Sequence, residues 1–215
     1  NVGNLVSSWQ YVALPVTSGL PNNSTVVLST TTNSNNFVTS LIPNSDYNLF
    51  VRAVCNGVPG PWSAAVPFTT LCNVITPPYY TGFTNNTETD CWSQLNLNND
   101  LNFFTFGNSA NSEPVAKIRP LNSNDMLISP QFQLDGVNQK RLRFKYNIYG
   151  NWGQIVNNPT GGPGSFEIRL STTGIGVNNF TTILVPLAQY TTAYNFIEMI
   201  VPLPNIAGNV NIAWV

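Results

Sequence analysis

The densest charge in this chain lies between Lys140 and Lys145, where Lys140, Arg141, Arg143 and Lys145 supply four of its eight basic residues. Arg141, Arg143 and Lys145 alternate with Leu142, Phe144 and Tyr146, and a period of two is a strand with one wet face and one dry face. Cations in a row on the wet face are a patch for an acidic polysaccharide or a carboxylate-bearing partner. The plainer account is a solvated sheet face, with Glu167 and Arg169 on a later strand forming cross-strand pairs of roughly 0.2–1 kcal/mol each. The acids promise less. Glu88 and Asp90 sit together near Cys91, while Glu113, Asp125, Asp135 and Glu198 are scattered. Glycoside hydrolysis needs two carboxyls about 5–5.5 or 6.5–9.5 Å apart in a cleft, and nothing in this spacing supplies them. Solvent exposure is the expected state of these side chains. The chain has no histidine, so the commonest general base and metal ligand is missing. No Gly-x-Ser-x-Gly elbow, phosphate loop or Cys-x-x-Cys site occurs. The chemistry on offer is that of holding a partner, and no enzyme is expected.

The elements that must position these residues are strands. From Asn124 the chain reads as two strands joined by a short turn at Asp135-Gly136. The first covers Leu127 to Leu134 and the second runs from Arg141. The composition agrees with a globular β protein: 42% of the 215 residues are hydrophobic and 12% aromatic, whereas only 8% are charged. That charged share is far below the roughly 25% of an average soluble domain, and Asn, Thr, Ser and Gly carry the polarity instead. A net charge of −1 gives no global field and argues against nucleic acid as a partner. No stretch approaches the roughly 20 apolar residues of a membrane span, so no membrane insertion is expected. Low lysine content, β-branched strands and the cysteine usage fit an extracellular or cell-surface location.

In the first part the expected strands are Trp9–Leu14, Ser24–Ser29, Asn36–Leu41, Tyr47–Cys55 and Ala65–Leu71. Pro and Asn between them indicate an antiparallel sandwich. Leu41, Pro43 and Tyr47 resemble the corner that opens the sixth strand of fibronectin type III domains. There a tyrosine hydroxyl bonds back to backbone a few residues upstream. Val51-Arg52-Ala53, Pro61-Trp62-Ser63 and Phe68-Thr69-Thr70 resemble the last hairpin of that family in its bacterial secreted form. On that resemblance Tyr47 and Trp62 are packing residues, and Trp9–Leu14 is the third of seven strands. Residues 1–72 then hold the C-terminal strands of such a domain, with the first two strands supplied by flanking chain or by a partner. Cys55 ends one strand and Cys72 follows its antiparallel neighbour, so the two lie near opposite poles. A disulfide needs Cα atoms within about 7 Å. Cys72 and Cys91 instead flank the stiff Thr76-Pro77-Pro78 junction, so a Cys72–Cys91 disulfide is expected, with the partner of Cys55 lying upstream.

From residue 73 onward the expected strands are Phe103–Phe106, Leu127–Leu134, Leu142–Tyr149, Ser165–Ser171, Thr182–Pro186, Tyr194–Leu203 and Val210–Val215. Cys91-Trp92, Leu127-Ile128-Ser129-Pro130, Leu142-x-Phe144-x-Tyr146, Phe166 to Thr172, and Leu203 with Ala207 to Ala213 occur in an order that resembles the cleaved-adhesin type of jelly roll. That family is related to the meprin/A5-type (MAM) sandwich, and its domains occur beside fibronectin type III modules in large secreted proteins of Bacteroidetes-type bacteria. The resemblance implies a jelly-roll domain over 73–215, truncated before its last strand. The expected fold class is therefore all-β: an incomplete fibronectin type III sandwich plus a larger jelly-roll β-sandwich.

In that family the loop after the tryptophan often carries alternating carboxylates that bind calcium. Here Asn96, Asn98 and Asp100 occupy it, and only Asp100 is charged. Calcium takes roughly six to eight oxygen ligands, and neutral amides serve but bind more weakly. The competing account is an Asn-rich turn whose side chains bond their own backbone. The implied function is adhesion, or carbohydrate or protein binding, by a non-catalytic segment of a secreted surface protein. Its ligand would be a surface glycan or protein, held through Arg141, Arg143 and Lys145 and through loops near Tyr149 and Trp152, where an exposed aromatic could stack on a sugar ring. Export would follow the type IX route, with the sorting signal elsewhere in the polypeptide. A passive spacer in a surface filament and an ancillary domain of a secreted hydrolase are the alternatives.

Overall fold

The computed structural model describes residues 6–30, 38, 40–97, 105–109, 112–117, 125–148, 164–190 and 195–215. It is nearly all β, with antiparallel pairing between its named strands. It divides into two compact units, Asn1–Asn73 and Val74–Val215. Cys72 and Cys91 are disulfide-bonded, and Cys55 carries a free thiol. Among the described residues no helix is long and apolar enough to cross a membrane.

The described strands of the first unit form one sheet: β1 (Val6–Pro15), β2 (Leu28–Thr30), β3 (Asp46–Cys55), β4 (Val58–Pro59) and β5 (Val66–Thr69). The long β1–β3 ladder sets Val12 opposite Phe50 on one face, where both are buried along with Val54. On the other face Trp9, Tyr11 and Ala13 meet Ala53, Val51 and Leu49, all half-buried. Tyr47 is buried at the start of β3, and its hydroxyl accepts the Ile42 N–H at 3.0 Å, the backward bond expected of it. Removing that acceptor with Tyr47→Phe should cost about 1 kcal/mol, the net worth of one such bond. A urea midpoint unchanged from wild type would refute it. Trp62 lies half-buried beneath the Arg52 guanidinium, 4.2 Å from its centroid. Two expected elements differ. Ser24 and Thr25 are not strand, because the Asn22 carboxamide takes the Ser24 N–H and the Thr25 hydroxyl into a turn. Of the expected strand Asn36–Leu41, Asn36, Phe37 and Thr39 lie outside the described residues, and Val38, Ser40 and Leu41 are not strand.

The second unit begins with a short helix, α1 (Asn86–Thr89), and continues with β6 (Ser93–Leu95), β7 (Thr105–Asn108), β8 (Pro114–Lys117), β9 (Met126–Ile128) and β10 (Phe132–Asp135). It ends with β11 (Arg141–Tyr146), β12 (Gly164–Ser171), β13 (Thr182–Tyr190), β14 (Ile197–Pro202) and β15 (Ala207–Trp214). A six-stranded sheet runs β13-β12-β15-β9-β6, with β10 also on β15. The β11–β14 ribbon lies over it. Between the layers Leu134, Ile168, Leu170, Leu203, Val210 and Ile212 form the core, with Leu142, Phe144 and Met199 pressed onto it from the ribbon. On the sheet's far face Met126, Ile128, Phe180 and Ala213 form a second cluster. Both faces of the sheet are therefore dry, which is why Met126-Leu127-Ile128 is an unbroken apolar run.

The expected hairpin is absent. β10 pairs with β15 and β11 with β14, so the Asp135-Gly136 turn carries the chain from one layer to the other. Alternation sets which way side chains point, and it says nothing about which strand takes the backbone bonds. The turn itself is as expected. Asp135 accepts the Val137 and Asn138 N–H groups, and Gly136 has φ +70° with Ala207 so close that a Cβ would lie 3.0 Å from its nitrogen. The expected single strand Leu127–Leu134 is also split in two. Pro130 has no N–H to give a ladder, and both halves pair with successive stretches of β15. β13 runs past Pro186 to Tyr190, longer than the sequence indicates.

Candidate functional site

β11 is held by its apolar side. Phe144 meets Trp214 edge-on at 5.7 Å, and Tyr146 meets Phe166 at 5.2 Å. Burial, then the neighbouring Tyr190, pushes the Tyr146 hydroxyl pKa up. With Leu142, Phe144 and Tyr146 turned inward, Arg141, Arg143 and Lys145 are all exposed, as the alternation requires. Across the ribbon their register partners are Pro202, Ile200 and Glu198. Ile200 is itself 51% exposed, so the outer face combines cations with an apolar ledge.

The charge pairing differs from expectation. Glu198 stands opposite Lys145 in register, but its carboxylate takes the diagonal Arg143 Nε–H at 2.8 Å. Glu167 and Arg169 do not reach the ribbon. Two residues apart on β12, they face the same way and pair with each other at 2.6 Å, with Glu167 nearly buried. Lys140 is withdrawn from the stripe. Its ammonium lies 2.8 Å from Asp135, whose carboxyl is held well below the usual carboxylate range by the Asn138 amide, the Lys140 ammonium and two backbone N–H groups. Three exposed cations and one acid remain on the ribbon. Arg141 and Lys145 have no ion-pair partner among the described residues.

Tyr149, Trp152, Asn98 and Asp100 lie outside the described residues, whereas Asn96 directly follows β6. The scattered acids are not uniformly solvent-exposed. Glu88 is a structural anchor: its carboxylate accepts the N–H groups of Gly82 and Thr84 and the Thr84 hydroxyl. Those bonds, led by the Thr84 N–H, lower its pKa. Asp125 is 2% exposed, and its Oδ1 accepts the Leu97 N–H at 3.1 Å while Oδ2 has no hydrogen-bond partner among the described residues. An acid at the junction of an Asn/Ser stretch and an apolar run reads as exposed. It is nevertheless buried where it immediately precedes β9, which pairs with β6.

Among solved structures the chain is similar to the K1 cleaved adhesin domain of Lys-gingipain from Porphyromonas gingivalis W83. The identity is 18%, the match covers 57% of this chain and 79% of that one, and the TM-score is 0.43. It is also similar to the K3 cleaved adhesin domain of the same protein, at 14% identity, 58% and 82% coverage and a TM-score of 0.39. No family model matches the sequence, and no curated protein matches it.

Proposed function

We infer that this chain is a non-catalytic adhesion-type segment of a large secreted or surface-displayed bacterial protein, and that it holds a surface glycan or protein bearing acidic groups on the outer face of β11. The resemblance to fibronectin type III and cleaved-adhesin domains supports the extracellular setting and the type IX export route. The observation that carries the reading is the cation row itself, in which Arg141 and Lys145 are exposed with no ion-pair partner among the described residues, and Ile200 of β14 adds an exposed apolar side chain to the same face. Anionic groups along an extended chain would meet the cations, and the apolar faces of sugar rings would meet Ile200 and Pro202. Each exposed ionic contact is worth roughly 0.2–1 kcal/mol, so binding is weak per site, multivalent and screened by salt.

Retention on immobilised polygalacturonate, with neutral dextran as control, tests this. Wild type should be retained at low salt on the acidic matrix alone, and Arg141→Ser combined with Lys145→Ser should elute with the void. Glu198→Gln should shift elution to higher salt, because it frees Arg143 and raises the local charge by one. Equal retention of all three proteins would exclude this face as the binding surface.

A further inference from the structure

The chain leaves β14 through Pro202-Leu203-Pro204-Asn205, and this segment stands across a groove from the start of β13. The groove has a volume of about 390 Å³, within the roughly 300–1,000 Å³ of small-ligand clefts. Ile183, Pro202 and Pro204 give it apolar walls, while Thr182, Gln139 and Asn205 add a hydroxyl and two amides. None of the residues lining it is charged. Its walls are fixed before any ligand arrives. Two prolines flank Leu203, which is buried and whose N–H bonds the Lys140 carbonyl at 2.9 Å. The Gln139 amide nitrogen donates to the Leu203 carbonyl at 2.6 Å, which leaves the amide oxygen as an acceptor. Among the described residues β13 pairs with β12 alone, so its outer edge offers backbone N–H and C=O groups to a ligand. The rim carries the charge. Arg141 stands opposite Pro202 in register and is exposed, with no ion-pair partner among the described residues. Neighbouring strands lie roughly 4.7–4.9 Å apart, a span that an arginine side chain exceeds, so its guanidinium can reach over Pro202.

We propose that this groove is a subsite for one hexuronate unit of an acidic polysaccharide. The sugar carboxylate meets Arg141, whose planar guanidinium matches it with paired N–H donors. The apolar face of the ring lies on Pro202 and Ile183, and its hydroxyls bond the Gln139 and Asn205 amides. Charge complementarity selects this occupant: one unpaired cation at the rim asks for one anion, and a charge-free interior with apolar walls asks for a neutral ring behind it. The proposal rests on the reading of the β11 outer face as a surface for acidic ligands. It adds what a row of cations lacks, a means of telling a sugar from any other polyanion.

The test is titration of the isotope-labelled full chain with trigalacturonate, followed by amide NMR, with maltotriose and triglutamate as controls. Trigalacturonate should move the Ile183, Leu203 and Asn205 amide signals together with Arg141. Neutral maltotriose should bind far more weakly, and triglutamate, which has the charge without the ring, should move Arg141 and leave the groove still. Ile183 and Asn205 are both exposed, so Ile183→Ser combined with Asn205→Ala leaves the fold intact. That variant should bind trigalacturonate roughly 10-fold more weakly, the equivalent of one hydrogen bond and a partial apolar contact. Shifts confined to β11, equal groove shifts from triglutamate, or undiminished binding by the double variant would each overturn the groove and leave the cation row standing. Failure of the wild type to be retained on polygalacturonate would instead remove the reading beneath it.

Discussion

Ile168→Ala is expected to destabilise the Val74–Val215 unit by about 2–5 kcal/mol, the range for deleting a large aliphatic side chain from a packed core. Ile168 is fully buried in the central region of β12, opposite Val185 of β13 and Trp214 of β15, and it belongs to the core between the sheet and the ribbon. The loss combines the transfer energy of the removed carbons with the cavity they leave. This site cannot collapse easily, because a backbone ladder borders it on each side. Ile168→Val keeps most of the volume and should cost only about 0.5–1.5 kcal/mol. Urea unfolding followed by far-UV circular dichroism measures both. A loss below 1 kcal/mol for the alanine variant, with an unchanged denaturant slope, would mean that the two layers are not packed as described.

Ser129→Ala should cost about 1–3 kcal/mol, which is large for the removal of one oxygen. Ser129 occupies the break between β9 and β10, where the following proline has no N–H to offer. Its backbone N–H bonds the Ile212 carbonyl at 2.8 Å, and its hydroxyl accepts the Ile212 N–H at 2.9 Å. The hydroxyl also donates to the Pro130 carbonyl at 2.8 Å, and the Ser129 carbonyl accepts the Asn211 amide at 2.9 Å. All of this is buried, so alanine would strand the Ile212 N–H away from solvent. Ser129→Thr retains the hydroxyl and should recover part of the loss if the extra methyl is accommodated. The measurement is equilibrium unfolding together with amide exchange at Ile212. Exchange at that amide should accelerate in the alanine variant, and wild-type protection there would refute the role assigned to the hydroxyl.

Much of the cationic face was legible from residues 141–146 alone. A strand repeats every two residues whatever it pairs with, so six residues suffice to say that Leu142, Phe144 and Tyr146 face a core and Arg141, Arg143 and Lys145 face solvent. The same local logic placed the turn at Asp135-Gly136, which depends on residues within a few positions. The backward bond of Tyr47 was expected only from the resemblance of its corner to a known family.

What the tertiary structure decided are the partners. Arg143 is neutralised by an acid 55 positions away, and Ser129 completes its bonds with Asn211 and Ile212, 82 and 83 positions on. A strand's edge offers the same N–H and C=O groups to any neighbour, so the choice of β15 for β10 and of β14 for β11 rests on burying both apolar faces together. Burial of Asp125 has the same origin. Its neighbours in sequence mark a surface turn, yet immediately before β9, which pairs with β6, it is 2% exposed. Side-chain direction is a property of a few consecutive residues, whereas solvent access and ion pairing belong to whatever the rest of the chain brings alongside.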